Sequence, residues 1–290
     1  MNIEKWIKKN TCSLEGKTVA VTGGTGGLGV ELCRYIARLG GSLVLVDRNQ
    51  EKSERFASEL AEKYGISVKR ICADLEDIDS VKRAADQLSD EPIDVFIHNA
   101  GAYSIPRHKC KMGLDNVFMI NFVSPYYIIR RILPMLRERG GKVVAVGSIA
   151  HNYSKADPGD VDFSQRKAAS RVYGNAKRYL MFSLFELFKN EREASLAVTH
   201  PGIAFTNITA HYPKLIFAII KHPMKLIFMK PRKAALSILG GIFENCGYLE
   251  WIGPWAFDVW GLPKKKMLRT ASADERRMIA DEAERICNEI

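Results

Sequence analysis

The stretch Val19-Ala20-Val21-Thr22-Gly23-Gly24-Thr25-Gly26-Gly27-Leu28-Gly29 carries an apolar run into a cluster of glycines. Beyond it Leu28, Leu32, Ile36 and Leu39 recur at helical spacing. The whole reads as a strand that turns into a helix around a bound phosphate. Glycine suits each step of such a turn. Gly23 can take a positive φ and reverse the chain, while Gly27 and Gly29 let backbone approach a pyrophosphate and a neighbouring strand. The helix then offers one face to a sheet and its N-terminus to an anion.

With 290 residues the chain is long enough for one large α/β domain. No run approaches the roughly 20 apolar residues of a membrane span, and the charged start (Glu4, Lys5, Lys8, Lys9) lacks the apolar core of a signal peptide. A cytoplasmic site is the default expectation. The six cysteines show no C-x-x-C pair and no cysteine-histidine cluster at ligand spacing, so they read as reduced thiols and no metal is expected. The net charge of +10 is uneven: no acidic residue occurs between Ala194 and Phe243. Aromatic residues are not interleaved with the charges, which argues against a nucleic-acid partner.

Outward from the glycine turn, short apolar runs alternate with helical patterns. The runs are Leu43 to Val46, Ile66 to Ile71, Ile93 to Ile97, Val143 to Val146 and Ser195 to Thr199. This is the signature of a parallel sheet buried on both faces. Each run ends in polar or small residues: Asp47-Arg48, Asp74-Leu75, His98-Asn99-Ala100-Gly101, Gly147-Ser148 and His200-Pro201-Gly202. Asp74 precedes a helical pattern and reads as its cap. Asn121 lies within a long helical stretch from Met112 to Arg139, where an unsatisfied amide is costly. Tyr173 and Lys177, four apart, share a helical face. A tyrosine titrates near ~10 in water and an adjacent ammonium favours its phenolate, which suits acid or base work.

In this order, the Thr-Gly-x-x-x-Gly-x-Gly turn, Asn99-Ala100-Gly101, Asn121, Ser148 and Tyr173-x-x-x-Lys177 resemble the short-chain dehydrogenase/reductase family in its single-domain form, over about residues 14 to 206. The resemblance implies that Tyr173 moves the hydroxyl proton, Ser148 hydrogen-bonds the reacting oxygen, Lys177 holds the ribose and shifts Tyr173, and Asn121 supports a relay water. It implies a nicotinamide dinucleotide held by Thr22, Gly23, Thr25, Gly27, Leu28 and Gly29 at the pyrophosphate. Asp47 would meet the adenosine ribose, with Asp74 and Leu75 at the adenine. Asn99 would brace the sheet, with room for the cofactor at Ala100 and Gly101. Pro201, Gly202, the Ile203 backbone and the Thr206 hydroxyl would close on the carboxamide. Asp47 favours NAD, and Arg48 keeps NADP open. His98 departs from the family's more frequent asparagine and reads as a hydrogen-bonded structural residue. The gap of 25 residues from Ser148 to Tyr173 is similar to the branch of retinol dehydrogenases, which commonly prefers NADP and lacks the Asp47 carboxylate.

The expected fold is therefore a Rossmann-type, doubly wound α/β domain over residues 1–290. It has a mostly parallel seven-stranded sheet with helices on both faces, and Tyr248 to Ile252 as the closing edge strand. A substrate lid is expected at about 207–232. There Leu215 to Ile220 and Leu226 to Met229 are apolar, and Lys214, Lys221 and Lys225 would share a face. Three readings of this segment stand: a lid over an apolar substrate, an interfacial helix pair on anionic membrane, or a clamp for an acidic group. A helical tail follows at about 273–290. The expected activity is reversible hydride transfer between a nicotinamide and an alcohol or carbonyl, of lipophilic type, in a homo-oligomer by resemblance. The alternative is a non-catalytic dinucleotide sensor or scaffold, with peripheral membrane contact open in either case.

Overall fold

The apolar runs pair into one twisted sheet in the computed structural model, which describes residues 2–203 and 229–290. Strands β1 (Thr18–Thr22), β2 (Ser42–Asp47), β3 (Val68–Cys72), β4 (Val95–His98), β5 (Lys142–Val146), β6 (Ser195–Thr199) and β7 (Glu250–Ala256) are parallel. β8 (Trp260–Met267) returns antiparallel along β7. The spatial order is β3-β2-β1-β4-β5-β6-β7-β8. The chain steps outward from β1 to β3 and then restarts at β4, which opens a crevice beyond the carboxyl ends of β1 and β4.

Side chains alternate across each strand, and the two resulting cores are distinct. Val19, Val21, Leu43, Leu45 and Ile97 face one layer, formed by α1 (Ile3–Asn10), α2 (Gly27–Arg38), α3 (Gln50–Tyr64) and α7 (Pro231–Phe243). Ala20, Val44, Val46, Phe96 and Ala145 face the other, formed by α4 (Ile78–Ser89), the helix from Asn116 to Glu138 (α5), α6 (Ala169–Leu187) and α8 (Ala273–Asn288). Helix α5 is continuous from Asn116–Phe118 through a π-helical turn at Met119–Val123 into Ser124–Glu138. Wide turns of this kind recur at functional sites.

Three expectations are corrected. The sheet has eight described strands where seven were expected, because β8 contains Pro263 and Lys264-Lys265-Lys266, a composition that masks a strand in sequence. Proline and lysine are nevertheless suited to an outermost strand, which needs no partner on one side and gains from charge there. Glu250–Ala256 accordingly lies one strand in from the edge. The cap of α4 is Asp77, whose carboxylate accepts from the Asp79 amide at 3.1 Å; Asp74 instead turns the chain by accepting from the Glu76 amide at 3.1 Å. The C-terminal helix lays one apolar face on the core, burying Ile279, Ala283 and Ile286. Thr206 and the expected lid as far as residue 228, with Lys214, Lys221 and Lys225, lie outside the described residues. Among the described residues no helix is long and apolar enough to cross a membrane.

The N-terminal arm is structural. Trp6, 5% exposed, packs its ring over Gly240 of α7. Trp6→Ala should lower unfolding stability by about 3 kcal/mol through the cavity it leaves. Urea denaturation followed by circular dichroism checks this; a loss below about 0.5 kcal/mol would show the arm to be dispensable.

Candidate active site

The glycine turn is a close-packed joint. A Cβ on Gly29 would lie 2.1 Å from the Gly23 carbonyl oxygen, and Gly23 itself sits at φ 66°. Helix α2 is capped by Gly26, which offers no side-chain oxygen, so its first-turn N–H groups remain available to an anion. The turn opens onto a cavity of about 420 Å³ whose lining includes Gly23, Thr25, Asp47, Arg48, Asp74 and Gly101. Leu75, Ala100 and Lys52 also line it. Exposed helix N–H groups, small residues at the floor and a polar far end fit a dinucleotide.

The residues expected at the cofactor do not all line this cavity. Thr25, Gly23, Asp47, Arg48, Asp74, Leu75, Ala100 and Gly101 line the cavity. Thr22, Gly29 and Asn99 shape it from behind. The Thr22 hydroxyl accepts from the Asn99 and Ala100 amides, both at 3.1 Å, so its proton turns to Nδ1 of His98, also at 3.1 Å. His98 is thus neutral with its proton on Nε2, and burial foremost, with the nearby Lys177 charge, holds its pKa well below the ordinary value. Asn99 donates to the carbonyls of Thr22 and Gly23, at 3.1 and 3.0 Å, and so ties β4 to the turn. Gly27 and Leu28 form the first turn of α2. Pro201 is buried, Gly202 takes φ 79°, and the Ile203 carbonyl accepts from Met229 at 2.9 Å.

Asp47 is more enclosed than expected of a ribose ligand. It is 5% exposed, and its Oδ1 accepts from the Thr25 amide at 3.2 Å and the Thr25 hydroxyl at 2.9 Å. Its Oδ2 has no hydrogen-bond partner among the described residues. Burial raises its pKa, against the pull of the Thr25 bonds. Arg48 by contrast is exposed at the rim and meets Asp74 and Glu76 only at 3.7 Å. Lys52, which was not singled out in the sequence, also faces the cavity. Its position one turn into α3 is the signal that could have found it.

At the other end the four expected catalytic residues converge. Asn121 is fully buried in the wide turn of α5, donating to the Val117 and Ala102 carbonyls at 2.8 and 2.9 Å and accepting from the Ala102 amide at 3.3 Å. A Cβ on Gly101 would come within 2.9 Å of Asn121 Oδ1 and 3.6 Å of Lys177 Nζ, so both side chains border one small space. Lys177 donates to the Val146 carbonyl at 2.8 Å, and its Nζ lies 5.8 Å from the Tyr173 ring centroid. Ser148, just beyond β5, accepts from the Ala150 amide at 3.2 Å, and its hydroxyl lies close enough to Tyr173 to draw the phenol's pKa down. Tyr103 packs edge-on against Tyr173 with centroids 5.3 Å apart.

The electrostatics depart from expectation. Burial pushes the Tyr173 phenol up to about 12, with the Ser148 bond pulling the other way. Burial also brings the Lys177 ammonium down to about 7. The lysine is turned to a backbone carbonyl, and burial rather than its charge sets the direction of the Tyr173 shift. Among the described residues no group of histidine, cysteine and carboxylate side chains could hold a metal.

Comparison with known proteins agrees with this architecture. The family described as short chain dehydrogenase matches residues 17–169. Human dehydrogenase/reductase SDR family member 13 is 29% identical over 271 residues, spanning 85% of this chain and 70% of that protein. Human retinol dehydrogenase 13 is 27% identical over 206 residues, 69% of this chain and 62% of that protein. Among solved structures, an uncharacterised protein from Mycobacterium paratuberculosis superposes with a TM-score of 0.78 at 22% identity, covering 97% of this chain and 96% of that one. A short-chain dehydrogenase from Sphingobium yanoikuyae in complex with NADPH gives 0.62 at 22% identity, covering 77% and 83%. With the family's pattern matched over more than half its length, on a sheet of the same kind, this chain belongs to the short-chain dehydrogenase family of oxidoreductases.

Proposed function

We propose that the protein reduces a lipophilic ketone or aldehyde, reversibly, with a nicotinamide dinucleotide. The observation that carries this reading is the convergence of Asn121, Ser148, Tyr173 and Lys177 on one end of the dinucleotide cleft. A bound reduced nicotinamide would supply the hydride. Tyr173 donates its phenolic proton to the carbonyl oxygen, and Ser148 hydrogen-bonds the same oxygen as charge builds on it. Lys177 passes the replacement proton toward Tyr173 by way of a water that Asn121 helps to hold. The apolar sequence of Leu215 to Ile220 and Leu226 to Met229 supports a lipophilic substrate, as does likeness to a relative named for retinol. Association with anionic membrane through the same lysine-bearing stretch belongs to this reading.

Cofactor choice turns on Arg48. With Asp47 bound to Thr25, the groups able to meet a 2′-phosphate are Arg48 and Lys52, and NADP should be used at least as well as NAD. The first test is a panel of retinaldehyde, a steroid ketone, dodecanal and acetoin with each reduced cofactor. Turnover of a lipophilic member ahead of acetoin is expected; preference for acetoin would refute the lipophilic reading, and no turnover at all the reductase reading. Arg48→Ala should lower kcat/KM for NADPH about tenfold and for NADH less than about twofold. Equal losses would remove Arg48 from cofactor selection.

Tyr173→Phe should cost on the order of a hundredfold or more in kcat while cofactor fluorescence titration shows unchanged binding. The pH dependence follows from the raised phenol. The protonated form serves reduction and the phenolate serves oxidation, so alcohol oxidation should climb toward about pH 10, while reduction should fall above about pH 7 as Lys177, which resupplies the proton, loses its own. An oxidation rate that levels off near neutrality would show that the phenol titrates far lower in the working enzyme.

A further inference from the structure

Beside the catalytic groups runs a buried network that their roles do not use. His151 is fully buried, with Nδ1 2.6 Å from the Ser148 carbonyl oxygen and Nε2 2.8 Å from the Thr270 hydroxyl. A carbonyl only accepts, so the imidazole proton sits on Nδ1, and Nε2 must accept from Thr270. The ring is thereby a rigid, directed link from the segment preceding α8 to the main chain of Ser148. Arg178, the residue after Lys177 on α6, holds both ends of the link: its guanidinium donates to the His151 carbonyl at 3.0 Å and the Thr270 carbonyl at 2.7 Å. Glu275 in the first turn of α8 holds Arg178 in turn through two bonds of 2.6 Å.

We propose that Thr270, with Arg178 and Glu275 behind it, is a positioning residue for catalysis, acting through His151 on Ser148. None of these side chains touches the reacting atoms. Their effect is on where the Ser148 hydroxyl points. Ser148 is extended at φ −154° and ψ 147°, its Oγ accepts from Ala150, and the hydroxyl proton is left for the Tyr173 oxygen or the substrate. A swing of the Ser148 carbonyl moves that hydroxyl, and misplacement of a reacting group by an ångström is worth as much as a hundredfold in rate. The charged groups bearing on His151 are Arg178 from α6 and Asp258 from the turn between β7 and β8; burial dominates both and brings its pKa down to about 4, so the tautomer holds across the working range.

Thr270 is the residue to change. Removing Arg178 or Glu275 would strand a buried charge. Thr270→Val deletes only the hydroxyl, leaving the carbonyl that Arg178 uses, and α8 keeps independent ties through Tyr126 and Arg130 to Glu284 and through Arg276 to Glu186. The proposal rests on the reductase reading. With the panel member that the unaltered protein turns over best, Thr270→Val should lower kcat about tenfold, with cofactor KM within about twofold, and Thr270→Ser should restore it. In a Ser148→Ala background the same change should cost less than about twofold, because the group being positioned is gone. An equal loss in both backgrounds, or no loss in either, overturns the proposal. A crystal structure of Thr270→Val needs no substrate. A Ser148 hydroxyl shifted from Tyr173 supports the proposal even if no panel member is turned over, and an unmoved one refutes it.

Discussion

The structure depends on how closely the start of α2 can approach the end of β1. Only a residue without a Cβ fits at position 29, since a Cβ would stand 2.1 Å from the Gly23 oxygen. That contact sets the helix on the strand, points the first-turn N–H groups into the crevice, and lets Asn99 reach across from β4 to the carbonyls of Thr22 and Gly23. Thr22 completes the joint by taking two amides from the Asn99-Ala100 turn and giving its own proton to His98. A single steric allowance thus couples the two strands between which the chain reverses its course.

Desolvation governs the chemistry at the far end of the same crevice. Tyr173, Lys177 and His151 are all displaced toward their neutral forms by burial, to about 12, 7 and 4. Neutral forms suit the space: a phenol that keeps its proton until a carbonyl oxygen gains charge, an amine able to pass a proton on, and an imidazole whose tautomer is decided by a carbonyl on one side and a hydroxyl on the other. Coulomb attraction between Lys177 and Tyr173, the effect suggested by their spacing, is secondary to the cost of burying either charge.

The periphery carries its own logic. β8 closes the sheet with a hairpin whose lysines find specific partners, Lys265 with Glu250 and Lys266 with Asp258. The C-terminal helix buries Ile279, Ala283 and Ile286 against the core that contains α5 and α6, the helices bearing Asn121 and Tyr173. Elements added beyond the dinucleotide fold therefore bear on the groups at its centre.

Much was legible in the sequence because local constraints leave local marks. The Gly23 to Gly29 turn, the Asn99-Ala100-Gly101 turn and the Tyr173-Lys177 spacing are each dictated by backbone geometry within a few residues, and the alternation of apolar runs with helical periods follows from burying a parallel sheet on both faces. What the tertiary structure alone decided depends on groups far apart in the chain. Asp47 was read as facing a ribose; that Thr25, 22 positions away, holds its Oδ1 while Oδ2 is left without a partner among the described residues shows only in the fold. The Tyr173 shift was read from Lys177, yet burial by the surrounding fold reverses its sign. His151 is fixed between the nearby Ser148 carbonyl and the Thr270 hydroxyl, 119 residues on. Periodicity and spacing report what a residue's neighbours in sequence demand; desolvation and the direction of a buried proton are sums over everything packed around it.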